Sequence, residues 1–276
     1  MYSRPIVRHI AAVAFGLVCA VAPAAAADFK SGWDAYQAGR FAEALAIWRP
    51  LAERGDGKAQ FNLGVMYRDG KGVAPDAATA AAWWAKAAES GDSYAQHNLA
   101  MAYIAGEGVS KDNARAVAML EKAAMQGQIR SQYALGKMYE YGLGVPQDQS
   151  LSARWVLMAA EKGLDKAQYN MGKRYRDGDG VSQDLAKAAQ WFLKAAEQGY
   201  VNAQNHIGIR YARGLGVEQD PVKALMWLTL AARQGHKAAE QNRSDLLPML
   251  TADQQVRGTK LADAWKPKPA TEAAMP

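Results

Sequence analysis

The sequence predicts an all-α protein, a right-handed superhelical α-solenoid of stacked helix-turn-helix repeats. Three observations predict it. A motif returns every 36 residues without a slip, the same glycine and aspartate positions recur in every copy, and half of the residues are hydrophobic with alanine dominant. Alanine is the best helix former and permits close helix contact, so that composition suits many short, tightly packed helices. Ala59-Gln60-Phe61-Asn62-Leu63-Gly64 is answered by Ala95-Gln96-His97-Asn98-Leu99-Ala100 and by Ser131-Gln132-Tyr133-Ala134-Leu135-Gly136. Ala167-Gln168-Tyr169-Asn170-Met171-Gly172 and Ala203-Gln204-Asn205-His206-Ile207-Gly208 complete the series, and Tyr67, Tyr103, Tyr139, Tyr175 and Tyr211 keep the same beat.

The elements follow in chain order. Residues 1–27 read as a secretory signal: Arg4 and Arg8 precede an apolar run from Ile10 to Val21, and Ala24 to Ala27 offer small residues for cleavage before Asp28. No later stretch approaches the ~20 apolar residues that a spanning helix needs, so a periplasmic protein without membrane insertion is expected. Cys19, the one cysteine, lies inside the signal and follows Val18 rather than a small residue, so no lipid anchor is expected. A cysteine-free mature chain excludes a disulfide scaffold, a thiol nucleophile and a thiolate metal site. It would carry 31 basic against 27 acidic residues, a net +4 against +6 for the whole sequence, far from a nucleic-acid-binding extreme.

Residues 28–57 are expected to form an N-terminal capping helix pair, with a turn at Gly39-Arg40 and a second helix from Phe41 to Glu53. Five repeats follow at 59–94, 95–130, 131–166, 167–202 and 203–238. In each, the first helix carries an apolar stripe such as Ala59, Leu63, Gly64 and Tyr67. A Gly-x-Gly pair ends it, because glycine accepts positive φ. An aspartate (Asp76, Asp112, Asp148, Asp184 or Asp220) is placed to cap the second helix by accepting backbone N–H bonds. That helix carries Trp83, Met119, Trp155, Trp191 or Trp227 at matched positions. One such hairpin cannot bury its own apolar face, and stacking neighbours does so. Beyond Ala238 the beat fails; 239–265, interrupted by Pro248, is expected to be a C-terminal helical cap, and 266–276 a disordered tail.

The pattern Ala-Gln-x-x-Leu-Gly-x-x-Tyr-x-x-Gly-x-Gly-Val, then Asp, then Ala-x-x-Trp-x-x-Lys-Ala-Ala-Glu-x-Gly, resembles the Sel-one-like repeat of the tetratricopeptide superfamily. The resemblance covers Ala59 to about Ala238, with Ala100, Ser131 and Met119 as modest departures. Some members of that superfamily, built on cysteine pairs that join the two helices, are linked to β-lactam binding or hydrolysis; without those cysteines this chain is not implied to share that activity.

Catalysis finds little footing. The glycine pairs have no strand before them and no Gly-Lys-Ser/Thr loop occurs, so a nucleotide fingerprint fails its context. His97, His206 and His236 fall in different units with no His-Glu-x-x-His motif, and a metal site needs three or four converging ligands. No cofactor, metal or catalytic residue is expected. The face of the first helix opposite the stripe collects positions equivalent to 61, 62, 65, 68 and 69. In solenoids such positions tend to line the concave wall, and here they differ between copies. In repeats three to five they turn aromatic and basic, with Tyr133, Lys137, Tyr169, Lys173, Arg176, His206 and Arg213 as the candidate binding residues and Arg174 and Arg210 at the edge. Glu140, Asp177 and Asp179 lie near enough to neutralise part of that charge. The expected function is a non-enzymatic scaffold or adaptor of the cell envelope, whose partner is another envelope protein presenting an acidic or extended segment. A glycan or peptidoglycan strand stacked on Tyr133 and Tyr169 is the alternative, and an envelope hydrolase ranks below both.

Overall fold

The computed structural model of the chain describes residues 28–268; the expected signal, 1–27, lies outside them. Among the described residues there are fourteen α-helices, one 3-10 turn and no strand. A capping pair, α1 (Phe29–Gln37) and α2 (Phe41–Glu53), opens the stack. The A-helices of the five repeats are α3 (Gly57–Asp69), α5 (Ser93–Ala105), α7 (Ile129–Tyr141), α9 (Asp165–Asp177) and α11 (Val201–Arg213). Their B-helices are α4 (Ala77–Glu89), α6 (Asn113–Met125), α8 (Gln149–Glu161), α10 (Leu185–Glu197) and α12 (Pro221–Arg233). Each A-helix packs on its own B-helix and each B-helix on the next A-helix, the pairing of an α-solenoid. Closing the stack are α13 (Lys237–Leu246), a 3-10 turn at Leu247–Met249 around Pro248, and α14 (Ala252–Ala264), which folds back on α12.

Within a repeat the hairpin closes on a volume match. Gly64, Gly136, Gly172 and Gly208 leave notches filled by Trp84, Val156, Phe192 and Leu228. Trp84, Leu120, Val156, Phe192 and Leu228 are all buried, whereas Trp83, Met119, Trp155 and Trp191 are only half-buried. The recurring tryptophan therefore does not fill its own hairpin. It packs at the junction between units, on the preceding unit's second helix and its own first helix: Trp83 with Trp48 and Leu63, Trp155 with Leu120 and Leu135, Trp191 with Val156 and Met171, and Trp227 with Phe192 and Ile207.

Polar groups lock the junctions. Gln60, Gln96, Gln132, Gln168 and Gln204 are buried, and each Nε2 donates to the carbonyl of Ala52, Ala88, Ala124, Ala160 or Ala196 at 3.0–3.3 Å, matching an otherwise orphaned helix-end acceptor. The recurring aspartates cap the B-helices as expected, for example Asp184 accepting from the Lys187 N–H at 2.9 Å. Asp56 and Asp92 do the same for α3 and α5, outside the recurring aspartate register. The first glycine of each Gly-x-Gly ends its A-helix at positive φ. The second has an additional reason: a Cβ on Gly144 would lie 2.5 Å from the Asn113 carbonyl oxygen, at the first turn of the preceding unit's B-helix.

Of the expected tail, 269–276 lies outside the described residues, and 266–268 runs beside the second helix of repeat four. Trp265 meets Trp227 edge-on at 6.0 Å, and Lys268 donates its backbone N–H to the Glu197 carbonyl at 2.8 Å and pairs with the Glu197 carboxylate at 2.7 Å.

Candidate functional site

The A-helices carry a strip of connected cavities. One of about 870 Å³ is lined by His97, Met101 and Ile104 of α5, by Arg130, Tyr133, Lys137, Met138 and Tyr141 of α7, and by Lys166 at the start of α9. A second, of about 610 Å³, continues towards the N-terminal cap past Phe61, Val65, Tyr36 and Trp33. A third, of about 380 Å³, opens between α3 and α5. All three share His97 and Arg130. Tyr141 and Met101 are 60 % and 42 % exposed there, large apolar surface left to solvent.

The seven candidate residues do not form one array. Tyr133 and Lys137 line the 870 Å³ cavity. Tyr169, Lys173, Arg176 and His206 belong to a second cluster one repeat further on: Tyr169 lies 5.7 Å from His206 and 5.0 Å from Tyr200, ring centre to ring centre. Arg213 is exposed at the end of α11 and makes no hydrogen bond or ion pair with the described residues. Asn170 bridges the two groups by donating to the Tyr133 hydroxyl at 2.9 Å.

Much of the basic charge is already matched. Lys137 donates to Glu140 at 2.6 Å; burial opposes both charges, yet the bond prevails and holds Lys137 above, and Glu140 below, its ordinary range. Arg176 grips Asp177 through two bonds of 2.7 and 2.6 Å. Lys173 has no carboxylate within ion-pair distance among the described residues. The acidic neighbours noted in the sequence thus neutralise Lys137 and Arg176, and the cations at the large cavity without an ion pair among the described residues are Arg130 and Lys166, both exposed. Neither was among the expected site residues; their signal was their place at the second residue of each A-helix, next to the variable face.

Arg174 and Arg210 correct the sequence reading. They are not at the edge of a polar face but buried, each 4 % exposed, at the register that Met66 and Met138 fill in other repeats. Arg174 is satisfied: it donates to Glu140 at 2.7 Å, to the Ser152 hydroxyl at 2.6 Å and to the Asp179 carbonyl at 3.2 Å. Arg210 has no such partners; its Nε and Nη2 are buried without a hydrogen bond.

His97 and His206 are uncharged at neutral pH. Burial first and the Arg130 charge second push His97 down to about 4, and its Nδ1 lies 2.9 Å from the Ser131 hydroxyl. Burial, Arg176 and Arg210 push His206 down to about 4 as well, where it stacks on Phe192 at 4.8 Å. His236 caps α13. Among the described residues no group of three or more His, Cys, Asp or Glu side chains converges as a metal site would require. Nor is any described helix long and apolar enough to cross a membrane.

Helix hairpins stacked in one register, with a single variable wall along the A-helices, define an α-solenoid repeat protein. The family model of the Sel1 repeat matches five consecutive segments, 57–92, 93–128, 129–164, 165–200 and 201–236, and the chain belongs to that family. Such proteins are generally non-catalytic protein-interaction scaffolds. Among solved structures, a protective antigen present in uropathogenic Escherichia coli strains is 31% identical over 84% of this chain with a TM-score of 0.79. The chain spans about half (51%) of that antigen's length. A Sel1 repeat protein from Oxalobacter formigenes is 29% identical with a TM-score of 0.71, the match covering 87% of this chain and 98% of that one. No curated protein matches.

Proposed function

We propose that this protein is a non-enzymatic scaffold of the cell envelope, exported by its N-terminal segment to the periplasm, where it docks an extended segment of another envelope protein along its A-helices. One observation carries the reading. The 870 Å³ cavity is walled by Met101, Ile104, Tyr133, Met138 and Tyr141 and rimmed by Arg130 and Lys166, an apolar channel with basic edges laid across three successive repeats. Its length along the stack suits an extended chain, its apolar floor supplies the attraction, and its rim favours acidic residues in that chain. Family membership supports the protein-binding class, and His97 and His206, both neutral and in different units, offer no acid–base pair for catalysis.

The test is a double substitution, Arg130→Ala with Lys166→Ala. Both residues are exposed and neither has an ion pair among the described residues, so the fold should be unaffected. Captured from envelope extract and identified by mass spectrometry, the partner should bind the variant about ten-fold more weakly, and the loss should shrink with added salt. Unchanged affinity refutes the groove. A co-purifying glycan ladder in native mass spectrometry, with no protein partner, would replace this reading with polymer binding.

A further inference from the structure

The junction of repeats four and five holds a charge that the chain leaves unmatched. The repeat itself supplies the comparison, because Arg174 and Arg210 stand one period apart at the same register. Arg174 meets Glu140, Ser152 and Asp179. One period on, those positions are Arg176, Ala188 and Leu215, so the carboxylate and the hydroxyl are gone and a second guanidinium has taken the place of the carboxylate. Arg210 retains two favourable neighbours, neither hydrogen-bonded to it: the Phe192 ring, whose centre lies 4.9 Å from the guanidinium carbon, and the Asp177 carboxylate, which only partly offsets burial and the Arg176 charge. Phe192 is itself stacked on His206 at an interplanar angle of 9°.

The ionisable groups around Arg210 are few. Arg176 and Asp177 of α9 act on Arg210 directly, whereas Lys173 of α9 shares with it the Asp177 carboxylate and the His206 ring of α11, beside which His236 also stands. Asp177 is held by Arg176 through two hydrogen bonds, and Lys173 has no ion pair among the described residues. Buried guanidinium donors beside two further cations are complementary to one class of group, a pair of anionic oxygens supplied from outside. Lys173 and Arg176 are half-buried and border solvent, which gives such a group a way in.

We propose that this junction is a carboxylate-receiving site, in which Arg210 and Lys173 hold an aspartate or glutamate side chain of the partner. The source of that carboxylate rests on the docking reading above; the site's affinity for a free anion does not. Sodium acetate is therefore titrated into the full chain at constant ionic strength and read at the arginine Nε–H resonances by 15N NMR, with inorganic phosphate as a second probe. The Arg210 signal should move saturably with millimolar affinity while that of Arg174, already paired, stays in place. Lys173→Gln should weaken acetate binding about ten-fold, the loss of one charge-assisted bond. Arg210→Met should keep the fold, since methionine is the repeat's own residue at that register, and should abolish the saturable acetate response at the neighbouring Arg176 Nε–H. Signals of Arg174 and Arg210 that drift together without saturation would overturn the site. Saturation seen only after Asp177→Asn would also overturn it, by showing that the chain's own carboxylate already fills the place. Saturation by phosphate alone would overturn the carboxylate assignment. Saturable acetate binding upholds the site even where the partner proves to dock elsewhere.

Discussion

Replacing Arg210 with methionine, and Arg174 with methionine in parallel, separates a matched buried charge from an unmatched one at the same structural position. Arg210 is 4 % exposed, with Nε and Nη2 unbonded. A buried donor without a partner costs about 1–3 kcal/mol. The contact with Phe192 returns roughly 0.5–2 kcal/mol of that. Methionine fits the register, being 0 % exposed as Met66 and 2 % as Met138, so Arg210→Met should stabilise the fold by about 1 kcal/mol. Arg174→Met removes the bonds to Glu140 and Ser152. Glu140 keeps Lys137 and Ser152 keeps the Gly136 carbonyl, so the loss is moderate, about 1–3 kcal/mol. For a chain of this size each kcal/mol moves the melting midpoint by roughly 2–4 °C. Far-UV circular dichroism during heating and in urea reads both variants. The signs should be opposite. A loss at Arg210 as large as that at Arg174 would refute the claim that the fold leaves Arg210 unmatched.

Other expectations follow from the same geometry. His97 and His206 titrate at about 4 in the fold against an ordinary value of 6.5. The unfolded chain therefore binds more protons between those values, and stability should be complete above pH 6.5 and fall as the pH drops towards 4. Allowing for partial exposure, the pair should contribute roughly 1–3 kcal/mol of that loss. His206→Asn, the residue found at the matching positions Asn62, Asn98 and Asn170, should remove its share of the slope in urea melts at successive pH values; an unchanged slope would contradict the assignment. Gln126, Gln198 and Gln234 each donate to the junction glutamine of their repeat at 2.7–2.9 Å, whereas Ser90 occupies that place in repeat one and the Gln60 Oε1 is left without a partner. Ser90→Gln should stabilise by about 0.5–1.5 kcal/mol, read as a higher urea midpoint, and a lower one would count against the junction role of these glutamines.

What the sequence shows and what it hides divide along physical lines. Periodicity reports anything the backbone repeats, so the hairpins, the aspartate caps, the glycine turns and the range of α2 were all legible. It misleads about packing. The recurring tryptophan marks the contact between units, which is the same at every junction, while the hairpin interior varies among Trp84, Leu120, Val156, Phe192 and Leu228 and leaves no repeated letter. It also misleads about charge. Glu140, Asp177 and Asp179 read as neutralising part of the basic face, but the spacing does not show that Glu140 and Asp177 pair with Lys137 and Arg176 one to one. Arg174 and Arg210 read as edge residues because arginine rarely occupies a buried register; only coordinates reveal that their position belongs to Met66 and Met138. The exposed cations at the cavity rim, Arg130 and Lys166, were missed because they stand in the first turn of their helices, outside the stripe that helical periodicity singles out.

The most direct test of the docking wall is site-specific photo-crosslinking in living cells, with the reactive residue placed at Tyr141 on the A-helix groove or at Met125 at the end of a B-helix. Both positions are freely accessible, 60 % and 75 % exposed, so access does not distinguish them. A discrete adduct with one envelope protein from Tyr141, absent from Met125 and lost with the Arg130→Ala, Lys166→Ala pair, is the result expected. Equal adducts from both positions, or an adduct from Met125 alone, would place recognition on another face of the solenoid.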